Sequence, residues 1–276
     1  LIGAGIDAIV IAAATPAHAK LLHLAVDARL PAFCEKPIAL DLAATDEVID
    51  HVRLAGTMVQ IGFQRRFDAG YRAAHEAVRS GALGRVHMIR LATHDPAPPP
   101  EEYVAASGGI WRDLAIHDFD IAPWVVGRAV VEVYADGEAN EEMFARHEDV
   151  DAACAVLRFE GGVLGVVTAT RNDPLGYDVR MEVFGLEDSV VVGWDEHMAL
   201  RSLEPGFQPP REPGYRDFMQ RFEPAYRTEL QEFLVAVKSG GDSPCTVADA
   251  RRALVVALAA DRSRREHRPV RIDEVA

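Results

Sequence analysis

IDAIVIAAATPAHAKLLHLAVDARLPAFCEKP, residues 6–37, holds two candidate strands and the helix between them. Residues 6–14 are β-branched or small and apolar apart from one acid, as in a buried strand, after which Thr15 caps and Pro16 opens a helix to about Ala28. A second strand, Ala32-Phe33-Cys34, stops at the turn Glu35-Lys36-Pro37. Working outward, a helix over 41–54 and a third strand over 57–63 repeat the pattern. Strands alternating with helices at this spacing pair in parallel, with the helices on the sheet faces. Such a sheet takes ligands beyond the carboxyl ends of its strands. Three segments fall there: Thr15-Pro16 with His18 one turn in, Glu35-Lys36-Pro37, and Gln64-Arg65-Arg66. A lysine in a proline-stiffened turn can reach over a cofactor and donate to a substrate oxygen; taken alone it reads as a solvated loop residue.

Beyond a helix at 71–80 the pattern changes. Strands are expected at 85–93, 130–137, 152–159, 163–170, 178–184, 189–192 and 198–203, with a hairpin across Glu160-Gly161-Gly162 and helices at 222–237 and 247–265. Successive hairpins indicate a large, mostly antiparallel sheet, open on one face and suited to a substrate pocket or a subunit contact. Within this half, GGIWRDLAIHDFDIAPWVVG, residues 108–127, concentrates the chemistry. If its helix starts near Trp111, then Asp113, His117 and Asp120 share one face. A carboxylate one turn from an imidazole can fix its tautomer and raise its basicity, as a base acting on a hydroxyl requires. The plainer reading is a solvated helix face with one i,i+4 pair.

Composition narrows the classes. The 276 residues suffice for two domains, and a net charge of −14 argues against a nucleic-acid backbone or an anionic membrane as partner. The longest apolar run is broken by Asp7 and too short to span a bilayer. No targeting segment is visible, and three widely spaced cysteines without a C-x-x-C pair suit a reducing cytoplasm and give no metal signal.

The segments Thr15-Pro16-Ala17-His18, Cys34-Glu35-Lys36-Pro37, Gly62-Phe63-Gln64-Arg65-Arg66-Phe67-Asp68 and the helix bearing Asp113, His117 and Asp120 resemble the glucose–fructose oxidoreductase, inositol dehydrogenase and MocA (Gfo/Idh/MocA) family of nicotinamide-dependent dehydrogenases. The resemblance covers essentially the whole chain, with inositol dehydrogenases most similar. It implies an α/β fold: residues 1–66 as the remainder of a dinucleotide-binding Rossmann domain, and 67–276 as an α+β substrate-binding and oligomerisation domain with a large, mostly antiparallel open sheet. The family's opening strand, G-x-G-x-x-G turn and acidic residue have no counterpart here, so a first βαβ unit of roughly 60 residues is expected to be missing from this sequence.

The resemblance also implies NAD or NADP as cofactor, met by Thr15, Pro16, His18, Glu35, Lys36, Pro37, Gln64 and Arg65, and no metal. Lys36, Asp113 and His117 would carry catalysis, with His117 as base, Asp113 orienting it and Lys36 holding the hydroxyl oxygen. Lys36, Asp95, Asp113, His117, Tyr177 and Tyr226 would line the substrate site. Asp95 stands where the family commonly has asparagine. The implied substrate is a cyclic polyol or sugar, most similar to that of inositol 2-dehydrogenase, and the implied assembly is a homo-oligomer, dimer or tetramer. Two alternatives stay open: a dehydrogenase of another sugar or sugar derivative, and a nicotinamide-binding sensor or structural subunit without turnover.

Overall fold

The computed structural model describes residues 2–208 and 210–276. β1 (Ile9–Ile11), α1 (His18–Asp27), β2 (Ala32–Glu35), α2 (Leu42–Ala55) and β3 (Val59–Gly62) form a parallel sheet in the order β1-β2-β3. Val10 pairs with Phe33, and Cys34 with Ile61, so all three strands end at one edge. This is the Rossmann-type arrangement expected from the alternation of strands and helices. Its first strand is shorter than the apolar run, and Thr15 is not a helix cap. Ala14 holds that position before a single 3₁₀ turn, Thr15–Ala17, and α1 begins at His18. The start of α2 follows its sequence, with Asp41 Oδ1 accepting from Ala44 N at 2.9 Å.

The second half runs through α3 (Ala69–Arg79), β4 (Met88–His94), α4 (Glu101–Ser107), α5 (Ile110–Asp113), α6 (Ile116–Val126), β5 (Val130–Glu138), α7 (Glu142–Arg146), β6 (Ala152–Phe159), β7 (Leu164–Thr170), β8 (Asp178–Phe184) and β9 (Ser189–Val192). It closes with α8 (Phe218–Ser239), α9 (Val247–Glu266) and β10 (Val270–Arg271). The strands order as β10-β5-β6-β7-β4-β8-β9, antiparallel except for β4 and β7. That parallel pair is in register at His94 and Thr170, which sets residues 95 and 171 side by side where both strands end. Residues 198–203 form no strand, a correction to the sequence reading: the sheet ends at β9, they pair with none of its strands, and Leu203 is 95% exposed.

Burial alternates along β6 and β7, as a sheet packed on one face demands. The inward side chains Val133, Leu157 and Val167 join Phe119, Ile121 and Val125 of α6 in one core. A second core under the parallel sheet joins Leu22, Cys34, Val48 and Ile61 to Val247, Ala250 and Ala253. The last helix therefore returns to the first half and packs between the two sheets, contacting α2 and β3 as well as α6 and β5. Among the described residues, no helix is long and apolar enough to cross a membrane.

Candidate active site

The chain leaves β2 through a cis Lys36–Pro37 peptide, and Lys36 reaches across to α5. Its Nζ donates to the Asp113 carbonyl oxygen at 2.6 Å and lies 3.2 Å from Asp113 Oδ1. The entry to α5 explains why Asp113 is there to meet it. Gly108 and Gly109 adopt φ of +85° and +87°, and a Cβ on Gly108 would sit 2.6 Å from Leu40 Cδ2. Asp149 Oδ1 then accepts from Ile110 N at 2.9 Å, anchoring the first turn.

Asp113 gathers three donors. Besides Lys36, the Tyr103 hydroxyl donates to Oδ1 at 2.8 Å and Arg171 donates from one terminal nitrogen to Oδ2 at 2.7 Å. Burial alone would raise the carboxyl's pKa, but the cations of Lys36 and Arg171, with the hydrogen bonds from Arg171 and Tyr103, hold it down to about 2. The other terminal nitrogen of Arg171 donates to Asp95 Oδ2 at 2.8 Å. Asp95, Arg171, Asp113 and Lys36 thus form one chain of alternating charge.

The single polar face expected for Asp113, His117 and Asp120 is not what forms. Ala115 N–H passes over the usual acceptor and bonds Ile110 O at 2.9 Å, five residues back, while His117 N–H reaches only Leu114 O at 3.4 Å. This widened turn separates α5 from α6. Asp113 accordingly holds Lys36 and Arg171 and makes no hydrogen bond to His117 among the described residues, so it does not orient the imidazole as expected. His117 packs edge-on against Phe63, ring centroids 5.9 Å apart, and its Nδ1 has no hydrogen-bond partner among the described residues. Burial, with the nearby cations of Lys36 and Arg65, pushes its pKa well below the usual histidine range, leaving a neutral imidazole.

Asp120, the third member of the expected face, accepts from Arg66 Nε at 2.8 Å and from a terminal nitrogen of the same guanidinium. Two positions expected at the cofactor are engaged elsewhere. Arg65 is 1% exposed, pairs with Asp118 and donates to Thr93 Oγ1 at 2.8 Å. His18 lies with Nδ1 2.7 Å from Pro37 O and Nε2 2.8 Å from Ala13 O, so its ring ties the turn after β1 to the turn after β2.

Thr15, exposed Pro16, Glu35, Pro37 and buried Gln64 do lie at the carboxyl edge of the parallel sheet. Tyr177 is buried, packs edge-on against Phe222 and lies within electrostatic reach of Arg65 and Asp95. Tyr226 is half-buried near Glu35 and Tyr177. Arg171 and Tyr103 were not singled out by the sequence. His94, Asp173 and Asp178 also cluster, but Asp178 accepts from Arg180 Nε at 2.8 Å, which balances that charge within the protein.

Comparison with known proteins places this geometry in context. Residues 2–63 match the family model described as an oxidoreductase family with NAD-binding Rossmann fold, and residues 71–191 match the GFO/IDH/MocA C-terminal domain. Myo-inositol 2-dehydrogenase of Thermotoga maritima is 38% identical over 98% of this chain and 81% of its own length. The scyllo-inositol 2-dehydrogenase (NAD(+)) of Bacillus subtilis is 35% identical over 98% and 78%. Among solved structures, scyllo-inositol dehydrogenase of Lactobacillus casei with bound NAD(H) and scyllo-inositol superposes with a TM-score of 0.87 at 27% identity, covering 98% of this chain and 81% of that one.

Proposed function

The chain belongs to the GFO/IDH/MocA family of NAD-binding oxidoreductases, and from that premise we propose that it oxidises one secondary hydroxyl of an inositol or related cyclic polyol to a ketone. The observation that carries this reading is Lys36, tethered across the two halves to Asp113 within electrostatic reach of a neutral His117. The relatives named above act on myo- and scyllo-inositol, and one holds NAD(H) and scyllo-inositol together. Thr15, Pro16, Glu35, Lys36, Pro37 and Gln64 would hold the nicotinamide end, and the half-buried His117 ring, paired with no carboxylate among the described residues, is left to take a reacting proton. When bound, the nicotinamide supplies the hydride acceptor.

The protein's own part is positional and acid–base. Lys36 Nζ, held by one carbonyl and one carboxylate oxygen of Asp113, donates to the substrate hydroxyl oxygen and stabilises the charge that develops there. His117 accepts the hydroxyl proton; burial, and after it the cations of Lys36 and Arg65, keeps the imidazole in the neutral form that can accept one. Asp95 Oδ1, Tyr177 and Tyr226 meet the remaining hydroxyls.

A panel of myo-inositol, scyllo-inositol, aldoses and keto-sugars, followed by NADH absorbance, tests the reading. Turnover highest on an inositol is expected; turnover confined to acyclic or aldose substrates would overturn it. A second reading, oxidation of another sugar derivative, is separated by the same panel. The family resemblance supports a homo-oligomer through the open sheet face, where Tyr134, Val156 and Val191 are exposed, and three free thiols support a cytoplasmic setting.

A further inference from the structure

Arg171 follows β7 directly, its backbone N bonded to Asp151 O at 2.8 Å and its side chain only 4% exposed. Both terminal nitrogens are engaged, one on Asp95 Oδ2 and one on Asp113 Oδ2. Asp95 is set beside it by the parallel register of β4 and β7, and by backbone bonds from Asp95 N to Thr170 O at 2.8 Å and from Asp173 N to Asp95 O at 2.7 Å. Two cations, Lys36 and Arg171, face two carboxylates, Asp95 and Asp113. The outermost member of this balanced chain is Asp95, whose Oδ1 has no protein donor among the described residues.

We infer that Arg171 is a positioning and specificity-determining residue: by tying Asp95 to Asp113 it presents Asp95 Oδ1 as a fixed acceptor for a hydroxyl of an uncharged polyol and bars sugars bearing a carboxylate. The physical reasons are direct. An ionised carboxylate can only accept, so its free oxygen matches a hydroxyl, and a substrate carboxylate there would meet a like charge with no donor between them. Tethering also couples specificity to chemistry, because Arg171 holds the same Asp113 that anchors Lys36. Asparagine at position 95 would leave Arg171 with one carboxylate and the site one positive charge richer. The aspartate and the arginine are therefore read as one device.

This inference rests on the dehydrogenase reading above, and its test is separable from it. Turnover and calorimetric binding are measured for the wild-type protein, Asp95→Asn, Arg171→Met and the double variant, with NAD, on myo-inositol and on glucuronate. Asp95→Asn is expected to lower kcat/KM for myo-inositol about tenfold, as loss of one charged hydrogen bond does, and to shift the ratio of uncharged to acidic substrate toward glucuronate by at least as much. Arg171→Met is expected to raise KM for myo-inositol and lower kcat, because Asp95 is released and Asp113 loses a donor. The double variant should recover part of the KM loss, as relief of an unpaired carboxylate does, and keep the substrate ratio of Asp95→Asn. An unchanged substrate ratio in Asp95→Asn, or absence of rescue in a folded double variant, overturns the inference. Should the wild-type protein prefer another uncharged sugar, the inositol reading falls and the ratio is read on that sugar instead.

Discussion

Three carboxylates of one short segment, Asp113, Asp118 and Asp120, meet four cations in two different ways. Asp118 and Asp120 are sealed, with side chains 0% and 1% exposed, and are held by Arg65 and Arg66 of the segment after β3, Arg66 reaching on to Asp249 at 3.1 Å. Asp113 is 10% exposed and shared between Lys36, at 14%, and Arg171. Sealed pairs fix the joint between the halves and leave little charge unbalanced. The open chain is anchored at one end and has a lysine and a carboxylate oxygen facing the site. A buried ion pair by itself is weak evidence of function, and here the difference lies in whether the partners leave a lysine and a carboxylate oxygen facing the site.

That contrast breaks first at His117, which lies between the two clusters and belongs to neither. His117→Ala is expected to lower kcat by ~10²–10⁴, the usual contribution of a positioned base, while the denaturation midpoint moves little. An unchanged kcat in a folded variant would remove His117 from the reaction. Asp118→Ala tests the opposite cluster. It strands the buried Arg65 guanidinium and leaves Thr93 without its acceptor, so a loss of about 3–5 kcal/mol in unfolding free energy is expected. Measured by urea titration, a loss below about 1 kcal/mol would show that water reaches this pair, and the distinction between sealed and open clusters would fail.

The parallel sheet, the Glu35-Lys36-Pro37 turn and most of the second sheet's strands were legible because each is written in a local pattern: alternation, punctuation by glycine or proline, and segment length. The β6 and β8 boundaries coincide with the sequence reading, and α2 starts at its aspartate cap. What was not legible depends on contacts distant in sequence. Arg171 matters only because β4 and β7 pair in parallel, and a run of hairpins suggests no such pairing. The widened turn at Ala115 follows from no residue with a marked preference, so an unbroken helix was the natural reading and put Asp113 beside the wrong partner. Arg65 lies at the right edge of the sheet, yet its partner Asp118, one residue beyond the histidine, turns it inward.

Glu229 on α8 offers a third arrangement, a buried carboxyl with no cation, and it shows in the pH dependence of stability, not in activity. Its side chain is fully buried, neither carboxyl oxygen has a partner among the described residues, and its backbone oxygen accepts from Gln60 Nε2 at 3.1 Å. Burial first, then the charges of Glu35 and Asp120, push its pKa up to about 9. In the unfolded chain the same group loses its proton near pH ~4.3. Between those values the folded state holds a proton that the unfolded state has released, so stability falls as pH rises through the window, by up to ~1.4 kcal/mol per pH unit, and levels off above it. Burial shifts Glu35 in the same direction. Glu229→Gln keeps the shape of the neutral acid and cannot ionise, so its unfolding free energy should decline less than that of the wild-type protein between about pH 5 and pH 8.5. Parallel declines in the two proteins would mean that Glu229 is ionised in the folded state, and that a cation or solvent reaches it as at Asp113.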